Sequence, residues 1–284
     1  MNATSLPDGF DSDRALVPDA TSTWFVFDGP KLVLTDAGTL PVGSPLPVMD
    51  GVALGTLDGQ GYFAAGLDGD VPAGFTSVPL RAGFGRLSEM QMGIAGYGAQ
   101  LVDFLRTHRY CGRCATPLVD SGHERSRTCP SCNLTVYPRV APVSMVLIRR
   151  GTGPGTELLL ARGPHFAPGM YSALAGFVEP SETLEHAAHR EVREEVGVSV
   201  TDLTYVLSQP WPFPHSLMVG FDAVYAGGEI VPQPGEIEDA RWFPVTALPS
   251  VPPPQSIARQ LIDRAVERAL HGGDGSPSVA SSAP

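Results

Sequence analysis

The sequence predicts a mixed α/β chain of successive domains, and three observations carry that reading. Residues 24–80 set short apolar runs between Gly, Pro and Asp turns, residues 139–270 mix strand-like runs with helical periodicity, and all four cysteines fall in two close pairs between them. At 284 residues and 43% hydrophobic, the chain has material for one large core or two smaller ones. The expected division is a flexible N-terminus over 1–23, a β-rich domain with a connector helix over 24–105, a cysteine segment over 106–138, an α/β domain over 139–270 and a disordered tail over 271–284.

The leading segment carries Asp8, Asp11 and Asp13 where a secretion signal would be basic, and no apolar stretch follows. No run approaches the length of a membrane span, and the terminal Ser281-Ser282-Ala283-Pro284 is not an organelle address. A soluble, cytoplasmic protein is expected. The formal net charge of −11 argues against a surface that grips long nucleic acid, since phosphate neutralisation needs clustered Lys and Arg. Lys31 is the only lysine.

Trp24–Phe27, Lys31–Leu34, Gly51–Leu54 and Gly61–Phe63 read as strands bounded by turn residues. From Leu87 to Arg109, Met90, Ile94, Tyr97, Leu101, Phe104 and Leu105 recur at helical spacing, so one helix leads into the cysteines. Beyond them, 143–149 and 157–161 read as strands, 182–196 as a helix ended by Gly197, then strands near 202–208, 217–226 and 240–243 and a helix at 255–270. The Gly, Ser and Pro content from His271 onward gives the tail its expected disorder.

Cys111-x-x-Cys114 and Cys129-x-x-Cys132 leave no cysteine over, with residues 115–128 between the pairs. In a chain with no secretion signal this spacing favours a tetrahedral zinc thiolate site over disulfides or a redox dithiol, because each pair presents two sulfurs to one ion. Four protein ligands close the coordination sphere. Such a zinc is structural, and the chemistry lies elsewhere.

Glu191, Glu194 and Glu195 stand at i, i+3 and i+4, so a helix gathers three like charges on one face, where a cation would relieve their repulsion. Hard oxygen donors suit Mg²⁺ or Mn²⁺. The bland alternative is a solvated acidic face. The context decides against it: Gly176, Glu182, Arg190, Glu191, Val192, Glu194, Glu195, Gly197 and Val198 fill every position of Gly-x5-Glu-x7-Arg-Glu-U-x-Glu-Glu-x-Gly-U, with U aliphatic. Accidental agreement is on the order of one in a billion per starting position.

This segment resembles the Nudix box. The resemblance implies an α/β/α sandwich that hydrolyses a nucleoside diphosphate linked to another moiety, with Glu191, Glu194 and Glu195 as ligands of the catalytic metal and Glu182 orienting the helix through Arg190. A second stretch, Ser208-Gln209-Pro210-Trp211-Pro212-Phe213-Pro214-His215-Ser216, is similar to the array that marks the NAD(H) diphosphatase subgroup. Physically, its three prolines stiffen an extended backbone, so that Trp211 and Phe213 are held for flat rings while Gln209 and Ser216 offer hydrogen bonds. The family's contacts carry over to Tyr137, Phe177, Gln209 through Ser216 and Ala258 for substrate, and to Ala175 and Glu236 for the metals. The resemblance further implies hydrolysis of NAD(H) to NMN(H) and AMP, NAD-capped RNA as a substrate carrying the same bond, and a homodimer. The alternative from another class is a non-catalytic NAD(H)-binding zinc-ribbon adaptor, against which the intact glutamates speak.

Overall fold

A computed structural model of the chain describes residues 4–43 and 46–272. Most of the expected tail lies outside the described residues. These form two compact bodies, one of residues up to 140 with 210–215, the other of 141–209 and 216 onward.

In the first body, β1 (Thr23–Asp28), β2 (Lys31–Thr35), β3 (Val48–Leu57), β4 (Gln60–Leu67) and β5 (Phe75–Pro79) form a sheet in the order β3-β4-β1-β2-β5. Only β1 and β4 run parallel; the other neighbours are antiparallel. Successive side chains of β1 point to opposite faces, as the pleat requires. Phe25 and Phe27 enter one apolar cluster, Trp24 and Val26 another. The helix expected as a connector, α1 (Glu89–Thr107), instead packs into the first cluster through Met92, Ile94, Ala95, Leu101 and Val102. Ser88 and Gln91 close a reciprocal cap at its start, satisfying two donors that the helix itself cannot. Residues 4–22 are likewise not a loose lead-in: Thr4 is buried and donates to the Pro210 carbonyl, and Asp11 bridges Thr56. Their acidic, turn-rich composition hid those contacts.

The cysteine segment adds a small antiparallel sheet of β6 (Val119–Asp120), β7 (Arg127–Thr128) and β8 (Thr135–Val136). It is tied to α1 by Arg127, whose Nη1 donates to the carbonyls of Leu105 and His108 at 3.3 and 2.9 Å. These are carbonyls that the end of a helix leaves without partners.

The second body is built on β9 (Ala141–Arg150), β10 (Glu157–Arg162), β11 (Leu174–Phe177), β12 (Ser199–Trp211), β13 (Ser216–Gly227) and β14 (Asp239–Pro244), in the order β12-β13-β9-β10-β14 with β11 also on β9. Along β9 and β10, Met145, Leu147, Leu158 and Leu160 face α3 (Ile257–His271), while Val146, Ile148, Leu159 and Ala161 face α2 (Leu184–Val196). Both faces are covered, which is why these strands read as unbroken apolar runs instead of alternating ones. The architecture is the expected α/β/α sandwich.

Candidate active site and zinc ribbon

Strand β11 pairs antiparallel with β9, Leu174 to Val146 through Phe177 to Val143, and leads by a turn into α2. Thr183 caps that helix, its hydroxyl accepting from the His186 N–H, and Gly197 ends it in the left-handed conformation at φ 75°. Arg190 then clips the turn to the helix. Its Nε and Nη2 donate to the two oxygens of Glu182 at 2.6 and 2.7 Å, and Nη2 also reaches the Phe177 carbonyl at 2.9 Å. The same guanidinium donates through Nη1 to Glu191 at 2.7 Å and Glu194 at 3.0 Å. Paired in this way, the Glu182 carboxyl is held down at about 2.

The glutamates are not equivalent. Glu194 is more than half exposed and rests on Arg190. Glu191 and Glu195 turn inward, Glu195 to 8% exposure. Burial, followed by the charges of Glu191 and Glu236, pushes the Glu195 carboxyl up to about 8, against a hydrogen bond from the Ala175 N–H. Burial also raises Glu191, opposed by Arg190. Glu236, far away in sequence, arrives on a loop fixed to the end of α2, where Val231 and Gln233 donate to the carbonyls of Val196 and Glu195 at 2.9 and 2.8 Å. The even convergence of Glu191, Glu194 and Glu195 expected from helical spacing thus becomes an inner group of Glu191, Glu195 and Glu236 with Glu194 at its edge. Among the described residues only the cysteines bring three or more ligand atoms within 4.8 Å of one another.

The donor set fits a hard divalent cation. Buried Glu195 Oε2 has no hydrogen-bond partner among the described residues, and the repulsion that raises its carboxyl is of the kind a cation removes. Glu195 and Glu236 border a cavity of about 400 Å³ whose other wall holds Pro164, His165 and Phe166. Sequence reading missed that wall. The turn-rich Gly163-Pro164 and Pro168-Gly169 after β10 were the available signal for a loop there.

The four cysteines lie together, with Sγ separations of 3.6 Å for Cys111–Cys132, 3.5 Å for Cys114–Cys129 and 3.7 Å for Cys114–Cys132. Tetrahedral Zn–S bonds of about 2.3 Å place sulfurs roughly 3.8 Å apart, so the thiols fit one zinc ion. Because Arg127 links this ribbon to the last turn of α1, Cys111→Ser is expected to cut bound zinc to less than about half that of the parent and to lower the melting temperature. Elemental analysis and a thermal melt check this, and parental zinc content in the variant would defeat it.

The NUDIX domain family matches residues 138–265, and the NADH pyrophosphatase zinc ribbon domain matches residues 106–137. Over 271 residues the chain is 52% identical to the NAD-capped RNA hydrolase NudC of Deinococcus radiodurans, covering 95% of this chain and 97% of that one. The chain belongs to the Nudix hydrolase family, in the branch with the NADH pyrophosphatase zinc ribbon. The NudC of Chromobacterium violaceum is 51% identical over 262 residues, covering 91% of this chain and 97% of the relative. A solved Nudix hydrolase from Nitrosomonas europaea matches with a TM-score of 0.45 at 20% identity, over 58% of this chain and 93% of its own. A Nudix enzyme with all its box glutamates in place is not the non-catalytic adaptor.

The array after the Nudix box departs most from its expected placing. Gln209 is wholly buried and spent on α3, its Nε2 donating to the Gln255 carbonyl at 2.8 Å and its Oε1 accepting from the Ile257 N–H at 2.7 Å. Both ends of its amide are thus bonded within the fold. Pro210 through His215 belong to the first body, not to the α/β domain. There Trp211 and Phe213 meet edge to face at 5.0 Å, Trp211 stacks on Phe84, and the Arg81 guanidinium lies 5.4 and 4.8 Å from their ring centres. Pro212 is buried, Pro214 is exposed, and Ser216 opens β13 opposite Ala141. Ala258 is buried in the core on α3. Of the aromatic side chains expected to contact substrate, Phe177 and Tyr137 are the exposed ones, the Tyr137 hydroxyl donating to Glu124 at 3.0 Å.

Proposed function

We infer that this chain hydrolyses the pyrophosphate bond of NAD(H), releasing NMN(H) and AMP from the free dinucleotide, and NMN(H) and 5′-monophosphate RNA where the dinucleotide caps an RNA. The observation that carries this is the inward group of Glu191, Glu195 and Glu236 beside the exposed Phe177, in a chain half identical over its length to NAD-capped RNA hydrolases. Glu191, Glu194 and Glu195, with Glu236 and the Ala175 backbone, would hold Mg²⁺ or Mn²⁺. Bound there, such ions supply neutralisation of phosphate charge and a water of lowered pKa. The protein's own part is positional. Arg190 fixes the turn and helix as one unit, Gly176 leaves room for Glu191, and the cavity past Glu195 and Glu236 shelters the diphosphate from bulk water. The net charge of −11 favours the free dinucleotide over capped RNA as the better substrate. We place the enzyme in the cytoplasm as a homodimer, on the family resemblance; light scattering in solution tests the assembly. No helix among the described residues is long and apolar enough to cross a membrane. Product analysis with NADH, NAD⁺, ADP-ribose and NAD-capped RNA, each with Mg²⁺ and Mn²⁺, tests the activity, and failure to cleave either NADH or NAD⁺ would refute it.

Selectivity for the nicotinamide end must come from side chains that touch the ring, because metal and phosphate contacts serve every diphosphate alike. Phe177, 58% exposed and at the end of β11, is free to do so, whereas Trp211 and Phe213 are already engaged. One stacked ring contributes about 1–3 kcal/mol, or roughly ten- to a hundredfold in kcat/KM. Phe177→Ala is therefore expected to lose NADH hydrolysis by that factor and ADP-ribose hydrolysis by much less. Equal losses on both substrates would remove Phe177 from nicotinamide recognition.

A further inference from the structure

Helix α1 has glycine at 93 and 96, three residues apart and so neighbours on its surface. Glycine inside a helix is less favourable than alanine, and here each one gives room to a stretch of chain that a methyl group would displace. A Cβ on Gly93 would overlap the Ser5 carbonyl oxygen and stand 2.7 Å from its carbon, and a Cβ on Gly96 would stand 2.6 Å from Pro212 Cγ. Two stretches far apart in sequence therefore lie in adjacent notches of one helix. The buried Thr4 joins them, its hydroxyl donating to the Pro210 carbonyl. The leading stretch is held further along as well. The Phe10 ring meets Tyr97 of α1 edge to face with centroids 6.4 Å apart, and the Ser12 hydroxyl shares a hydrogen bond of 3.0 Å with that of Tyr97. Asp11 exchanges two backbone hydrogen bonds with Thr56 of β3 at 2.9 and 2.8 Å. Residues 4–12 thus cross from α1 to β3 as a strap.

The strap meets the chain where it changes body: Gln209 belongs to the second, Pro210 to the first. Prolines at 210, 212 and 214 supply no N–H, so half of the residues from 210 to 215 cannot donate to a ladder. A hydroxyl from outside the stretch carries correspondingly more of its anchoring. Trp211 and Phe213 have their ring partners in Phe84 and Arg81, and Thr4 adds a hold on the backbone just before them. We propose that residues 4–12 fix residues 210–215 on α1, and that Thr4 is a positioning residue for substrate binding through the Pro210 carbonyl. Its bearing on substrate rests on the family resemblance, which gives this stretch to NAD(H).

Hydrogen exchange followed by mass spectrometry, on the full, zinc-loaded chain, reads the amides of Trp211, Phe213 and His215 directly. In Thr4→Val, which keeps the volume and loses the hydroxyl, these amides are expected to exchange about tenfold faster, because the Pro210 carbonyl loses its donor. Thr4→Ser, which restores a hydroxyl, should exchange within about twofold of the parent. Gly93→Ala improves the propensity of the helix itself, yet it should give the same rise of about tenfold by lifting Ser5 off α1, and adding Thr4→Val to it should change nothing further. In steady-state kinetics Thr4→Val should raise KM for NADH about fivefold with kcat within about twofold of the parent, a split that general loosening of the fold would not produce. Parental exchange in Thr4→Val, exchange in Thr4→Ser as fast as in Thr4→Val, or additive effects of Gly93→Ala and Thr4→Val would overturn the strap. Faster exchange with KM unchanged would uphold the strap and take residues 210–215 out of substrate binding.

Discussion

Glu195→Gln is expected to lower turnover at least a hundredfold while raising the melting temperature of the protein that holds its zinc but has no Mg²⁺ or Mn²⁺ added. The two effects have one cause. Glu195 is 8% exposed, and burial together with Glu191 and Glu236 holds its carboxyl at about 8 when no cation is bound. A folded-state pKa above the unfolded value means that ionisation costs stability. For this group the cost is absent below about pH 4.5, grows as pH rises, and is complete above about 8. At pH 7 it is on the order of 1–3 kcal/mol, and the neutral amide escapes it, which amounts to a few degrees in melting temperature. Added Mg²⁺ or Mn²⁺ reverses the order, because the parent gains stability by binding the ion and the variant gains less. Turnover near the parental rate would remove Glu195 from the metal site. A lower melting temperature in the cation-free variant would show instead that its carboxylate is satisfied in the fold.

How much of this was legible in the sequence follows from the range of the interactions involved. The helix carrying Glu191, Glu194 and Glu195 was readable from spacing alone, and so was its end at Gly197, which acts within a few residues of itself; the Thr183 cap at its start went unread. The thiols of Cys111, Cys114, Cys129 and Cys132 meet as their spacing implies. What spacing could not give was depth. Periodicity assigns Glu194 and Glu195 to one face, yet Arg190 holds Glu194 at the surface while β11 covers Glu195. Strand β11 itself is four residues long, too short for an alternating signal, and exists because β9 offers an edge to it. Gln209 and Trp211 sit two residues apart in one extended run but serve different bodies, Gln209 bonded to α3 and Trp211 to Phe84 and Arg81. A contact that closes over dozens of residues leaves no local pattern.

Gly176→Ala should be nearly as damaging to activity as loss of Glu191 itself. An added methyl group at this position would stand 1.8 Å from Glu191 Cδ and 2.1 Å from each of its carboxylate oxygens, distances at which one side must move. The strand cannot be the one to yield, because Gly176 is paired with Ser144 inside the β11–β9 ladder and the Phe177 carbonyl beside it is held by Arg190. The Glu191 carboxylate must therefore swing away from Glu195 and Glu236, and the site loses one of its inward oxygens. A displaced ligand of the catalytic metal should cost at least about a hundredfold in kcat, as does misplacement of reacting groups by an ångström elsewhere. Stability should change little by comparison, since no core side chain is lost and helix α2 keeps its Arg190–Glu182 clip. A double-mutant comparison separates this mechanism from general damage. If the methyl acts by evicting Glu191, then Gly176→Ala combined with Glu191→Ala is no slower than Glu191→Ala alone, because the group being displaced is already gone. Turnover measured for the two single variants and the pair, with melting temperatures as the folding control, decides the matter: additive losses, or a Gly176→Ala rate within a fewfold of the parent, would mean that the approach of strand and carboxylate is not what positions Glu191.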